Sequence, residues 1–96
     1  MLLRQIVEYF REDAPAYLRR MHAAVDAGDA AGVEYAAHCL HGLVANFAAE
    51  VAALAAQRVQ EIAHSGDLLA VTQAVSVLDD EITKLETALV REASCL

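Results

Sequence analysis

Six apolar residues in the last third of the chain repeat at intervals of four and three. They are Val71, Val75, Leu78, Ile82, Leu85 and Leu89. Because three and four residues each come close to one helical turn, this spacing puts all six side chains on one narrow stripe of an α-helix. Such a stripe is buried only when it packs against other helices. The pattern therefore predicts a bundle of helices.

The composition also favours helix. Hydrophobic residues make up 57% of the 96 positions, and the chain has only four glycines and one proline. Alanine, which is abundant here, loses no side-chain entropy in a helix, whereas glycine and proline disrupt helices. A chain of this length forms a single domain with one modest core, which leaves no room for a large cofactor. We predict an all-α domain without a cofactor.

Four helices are expected, over about residues 2–27, 29–47, 49–64 and 67–91. Gly28-Asp29 and Gly66-Asp67 mark two of the junctions, because glycine suits a left-handed helix end and aspartate suits a helix N-cap. Pro15 predicts a kink or a short break in the first helix. The residues after Arg91 are expected to fray. Short connections between successive helices predict an antiparallel up-down-up-down four-helix bundle.

Charge and cysteine content narrow the function. The net charge of −7 disfavours nucleic acid and anionic membranes as partners, since both require a basic surface. No apolar run reaches the roughly 18 residues of a membrane span, and the N-terminus lacks the pattern of a signal peptide. Two cysteines, Cys39 and Cys95, are too few for a disulfide framework. We expect a cytoplasmic protein.

The second helix places a histidine opposite its apolar face. That face consists of Val33, Ala36, Ala37, Leu40, Leu43, Val44 and Phe47. His38 lies about 160° from its centre on a helical wheel, so its imidazole is expected to point into solvent. Gly42 follows one turn later, and Ala31, Ala45 and Ala49 lie near the same line. A glycine in mid-helix costs about 1 kcal/mol relative to alanine, but it opens the imidazole to close approach by another protein.

The residues around His38 resemble a known signature. Ala37-His38-Cys39-Leu40-His41-Gly42 is similar to the Ala-His-x-Leu-Lys-Gly motif of histidine phosphotransfer (HPt) domains, and the resemblance extends over nearly the whole chain. It implies that His38 carries a phosphoryl group exchanged with the aspartate of a response-regulator receiver domain. It also implies that Gly42 clears space beside the imidazole. Tyr35 joins Gly42, Ala45 and Ala49 in the predicted docking surface.

Two positions next to the phosphorylated histidine bear on its chemistry. Members of the family usually have lysine where this chain has His41, and a histidine balances phosphate charge only when it is protonated. Some members place a glutamine near the imidazole, and Gln60 resembles that position. The resemblance implies a monomeric phosphocarrier rather than an enzyme, because the receiver would supply Mg²⁺ and most catalytic groups. A hybrid sensor kinase is a second candidate partner.

Two other interpretations of the sequence remain open at this point. His38 and His41, with Glu34, could form a metal site on one helix, although no further strong ligand is evident and we predict no metal. A helical bundle could also bind a signalling partner without being phosphorylated, and His41 in place of lysine favours this alternative.

Overall fold

The chain folds into four consecutive helices. A computed structural model describes the backbone of residues 2–45, 47 and 49–95, and the side chains of residues 5–45, 47 and 49–91. The helices are α1 (Leu2–Asp26), α2 (Ala30–Ala45), α3 (Glu50–Ser65) and α4 (Leu68–Cys95). Each packs against the next, and α4 packs against α1, which closes a bundle of 43 × 20 × 16 Å. The predicted all-α four-helix bundle is confirmed.

Both Gly-Asp junctions have the predicted geometry. Gly28 and Gly66 adopt left-handed φ values of 68° and 84°, which glycine reaches without steric cost. Asp29 Oδ1 accepts a hydrogen bond of 3.0 Å from the backbone N–H of Gly32. Asp67 Oδ1 accepts one of 3.1 Å from the N–H of Ala70. Each aspartate thus caps the helix that follows it.

The interior of α1 and the ends of α2 and α4 differ from the expectation. α1 continues through Pro15, so the helix has no break there. α2 ends at Ala45, where the N–H of Phe47 donates to the carbonyl oxygen of Val44 at 3.0 Å and turns the chain. α4 continues beyond Arg91 to Cys95, because no glycine or proline follows to stop it. Positions 46 and 48 lie outside the described residues.

The apolar stripes meet in one core. In α4, five of the six predicted stripe residues are buried, and Leu85 packs against them at partial exposure. In α2, five of the seven predicted residues are buried, while Leu43 and Phe47 cover the edge of the core. The ring of Phe47 meets that of Phe10 edge-on at 5.5 Å. No helix in the described part of the chain is both long and apolar enough to cross a membrane.

Candidate functional site

His38 lies on the exposed side of α2, between α1 and α3. Its ring is exposed, whereas Ala37 and Leu40 on the same helix are completely buried. Gln60 of α3 is half-buried and places its amide Nε2 3.2 Å from Nδ1 of His38. Since Nδ1 is occupied by this hydrogen bond, Nε2 is the ring nitrogen left for chemistry.

A second polar contact links the same two helices. Glu34 lies one turn before His38 on α2, and His64 lies one turn after Gln60 on α3. Nδ1 of His64 is 3.4 Å from one carboxylate oxygen of Glu34 and 3.3 Å from the other. Because α2 and α3 are antiparallel neighbours, the two contacts link the helices at positions one helical turn apart.

Two tyrosines, Tyr17 of α1 and Tyr35 of α2, lie close to Cys39, the residue after His38. The side chain of Cys39 raises the pKa of the Tyr17 hydroxyl above its usual value, chiefly by electrostatic repulsion. The guanidinium of Arg20 lies 5.4 Å from the centre of the Tyr17 ring, which is within cation–π distance. Tyr35, one turn before His38, is 61% exposed.

Small residues leave the surface beside His38 open. Gly42 is exposed, and a methyl group built on it would meet no atom within 4 Å. Ala31 and Ala45 are also exposed on α2. Ala49, which the helical wheel placed near the same line, lies outside α2, as the predicted helix bounds require. It is half-buried and precedes the first residue of α3, because α2 ends at Ala45.

His41 is half-buried, unlike His38. On a helical wheel it lies about 60° from His38, on the side that Glu34 occupies. Glu34 reaches α3, so His41 also faces α3. Gln57 on that helix already donates a hydrogen bond of 3.2 Å to Glu61. His41 is therefore positioned near the α2–α3 groove and is less exposed than His38.

The described side chains do not support the metal interpretation. No group of three or more histidine, cysteine, aspartate or glutamate residues among them is arranged to hold a metal ion. Glu34, the third ligand considered from the sequence, contacts His64 instead of His38.

The sequence model of the Hpt domain matches residues 5–88, which is most of the chain. The chain belongs to the Hpt domain family. Its structure is similar to the crystal structure of histidine-containing phosphotransfer protein B (HptB) from Pseudomonas aeruginosa PAO1. The TM-score is 0.89 at 25% identity, and the match covers 95% of this chain and 79% of that one. No curated protein sequence matches the chain significantly.

Membership in the family settles the general function. The chain is a histidine phosphotransfer domain, which acts in the phosphorelay of two-component signalling. Hpt domains are phosphocarriers that interact with response regulators and kinases. The exposed imidazole of His38 lies within the matched region and has a glutamine as its neighbour.

Sequence reasoning missed two contacts around the site. The first is the pair formed by Glu34 and His64, and the second is the influence of Cys39 on the hydroxyl of Tyr17. The first could have been found from the register of two antiparallel helices. Once Gln60 is placed opposite His38, a residue four positions before the histidine must lie opposite one four positions after the glutamine. The second had no comparable signal.

Proposed function

We propose that this domain carries a phosphoryl group on Nε2 of His38 and exchanges it with the aspartate of a receiver domain. The contact between Gln60 and His38 is the main support, because it occupies Nδ1 and leaves Nε2 toward solvent. The exposure of His38 and the open space at Gly42 agree with close approach by a partner.

Gln60 is well suited to select the reactive tautomer of His38. In the placed orientation its Nε2–H donates to Nδ1, which leaves the proton of a neutral imidazole on Nε2. A half-turn of the amide presents Oε1 instead, so that Nδ1–H donates and the lone pair of Nε2 is free. That second arrangement is the nucleophilic one. We therefore assign Gln60 as a positioning residue.

The transfer step needs little covalent machinery from this chain. The Nε2 lone pair forms a bond to phosphorus as the bond between phosphorus and the carboxylate oxygen of the aspartyl phosphate breaks, and the carboxylate leaves. Phosphoryl transfer depends mainly on in-line positioning and charge stabilisation. The sequence contains no glycine-rich phosphate loop. The receiver would supply Mg²⁺ and most catalytic groups, while His41 contributes positive charge only when it is protonated.

The docking surface in this proposal centres on His38 and includes Tyr35, Gly42 and Ala45. A receiver domain, alone or as part of a hybrid sensor kinase, is the partner. We expect the domain to be monomeric, because a net charge of −7 makes like copies repel. A cytoplasmic location agrees with Cys39, which is a free thiol.

Phosphorylation assays with His38→Gln test the proposal. Wild-type protein is incubated with a panel of phosphorylated receiver domains and analysed for acid-labile label on histidine. We expect labelling of the wild type and of His22→Gln, whose histidine lies on α1 and contacts Asp79 of α4, but none of His38→Gln. Full labelling of His38→Gln would rule out this assignment. Receiver binding without any labelling of the wild type would favour the alternative, an interaction module that is not phosphorylated.

A further inference from the structure

The pair formed by Glu34 and His64 borders the phosphoryl site, yet the transfer chemistry described above gives it no role. His38 is hydrogen-bonded to Gln60. The His38–Gln60 pair and the Glu34–His64 pair therefore lie about one helical turn apart, with about 5–6 Å between successive Cβ atoms on each helix. The side chain of His64 is 80% exposed and that of Glu34 is 39% exposed. Most of the His64 ring is therefore open to a group attached to His38.

The protonation state of His64 decides what it could bind. A carboxylate only accepts hydrogen bonds, so Nδ1–H of His64 donates to Glu34. In the neutral ring, Nε2 then carries a lone pair, which phosphoryl oxygens would repel. In the imidazolium, Nε2–H is available as a donor. A phosphoryl group arriving one turn away adds negative charge and thereby favours the imidazolium.

The other charged groups close to His64 in the sequence are acidic. Glu61 lies on α3 itself, and Asp67 lies in the turn that leads to α4. The first turn of α4 carries no acidic residue. His64 also lies in the last turn of α3, where exposed backbone carbonyls favour a positive charge. On the facing helix α2, Glu34 is the anion, and the titratable neighbours are His38 and His41.

We infer that His64 binds the phosphoryl group on His38 through Nε2–H of its imidazolium, while Glu34 holds its tautomer. His64 thereby supplies a positive charge beside the phosphoryl group from the α3 side. This inference rests on the proposed phosphorylation of His38. In this scheme His64 is a phosphoryl-binding residue and Glu34 is a positioning residue.

The lifetime of the phosphorylated protein tests this inference. After labelling and removal of the receiver, loss of label is followed for the wild type, His64→Gln, His64→Arg and the control His22→Gln. The control removes another surface histidine paired with a carboxylate, at 2.7 Å from Asp79. We expect His64→Gln to shorten the lifetime about twofold to fivefold, the range of an exposed charge pair. His64→Arg should restore it, and His22→Gln should leave it unchanged.

The dependence on pH separates this role from a structural one. The ratio of the wild-type lifetime to that of His64→Gln should be larger at about pH 6.5, the ordinary pKa of histidine, than at about pH 8.5. The ratio of the lifetime of His64→Arg to that of His64→Gln should not change with pH, because arginine stays charged. Glu34→Gln alone should shorten the lifetime. Added to His64→Gln it should cause no further shortening, since the two residues act together.

The possible outcomes distinguish this inference from the proposed function. A wild type that accepts no label overturns both. A labelled wild type with the same lifetime as His64→Gln overturns only the role of His64. Equal shortening in His64→Gln and His22→Gln also overturns it, because the effect would then be general to surface histidines. Circular dichroism checks that each variant retains its helical content.

Discussion

At the scale of single residues, Gly42 is where helix stability and the proposed function make opposite demands. Glycine inside a helix costs about 1 kcal/mol relative to alanine. The structure offers no packing reason for it, because a methyl group there would meet no atom within 4 Å. A partner that approaches His38 closely supplies the missing reason.

Substitutions at Gly42 should therefore separate stability from transfer. We expect Gly42→Ala to raise the free energy of unfolding by about 1 kcal/mol while slowing phosphoryl transfer. Gly42→Leu should abolish transfer with no loss of helicity. Urea unfolding followed by circular dichroism gives the first quantity, and the labelling assay gives the second. Normal transfer by Gly42→Leu would show that the partner does not approach this side of His38.

The sequence was sufficient to predict the exposure of His38, because helical geometry alone determines which residues lie opposite an apolar face. It was not sufficient to predict the contacts with neighbouring helices. The pairing of His64 with Glu34 depends on the register of α2 against α3, which a helical wheel of one segment does not contain. The end of α2 was predicted two residues too late for a related reason, because a turn at Phe47 ends the helix at Ala45.

At the scale of elements, the start of α2 depends on Asp29 and Gly32 acting as a unit. Asp29 accepts the N–H of Gly32. A Cβ at position 32 would lie 2.5 Å from Oδ2 of Asp29 and 3.1 Å from Cβ of Ala24. The capping carboxylate thus occupies the space that a side chain at position 32 would need. Gly32 and Gly42 lie in the same helix, yet they are glycine for different reasons.

A double-mutant cycle should reveal this dependence. We expect Asp29→Ala to cost about 1 kcal/mol, the usual value of an N-cap. Gly32→Ala should also destabilise the protein, although alanine is the better helix former. In the Asp29→Ala background, Gly32→Ala should cost less, because the crowded carboxylate is gone. Chemical unfolding of the four proteins measures the coupling, and strictly additive effects would contradict the crowding seen at position 32.

At the scale of the whole molecule, the many alanines in the core limit how much apolar area it buries. Nine of the 21 buried hydrophobic residues in the described part of the chain are alanines, and each buries little area. Close approach of the helices keeps the bundle only 16–20 Å across. The regular stripes made this fold predictable. Most of the burial energy must nevertheless come from a few large side chains, such as Phe10, Met21 and Leu40.

Truncation of Phe10 should therefore be unusually costly. The ring is 1% exposed and packs edge-on against Phe47 in the connection between α2 and α3. We expect Phe10→Ala to lower the free energy of unfolding by about 3–5 kcal/mol, a large part of the about 5–14 kcal/mol typical of a domain this size. The neighbouring Tyr9 is 65% exposed, so Tyr9→Ala should change stability by less than about 0.5 kcal/mol. Urea denaturation compares the two variants. A loss below about 1 kcal/mol for Phe10→Ala would mean that stability is spread evenly over the alanine contacts, and the bundle would then tolerate changes at any one core position.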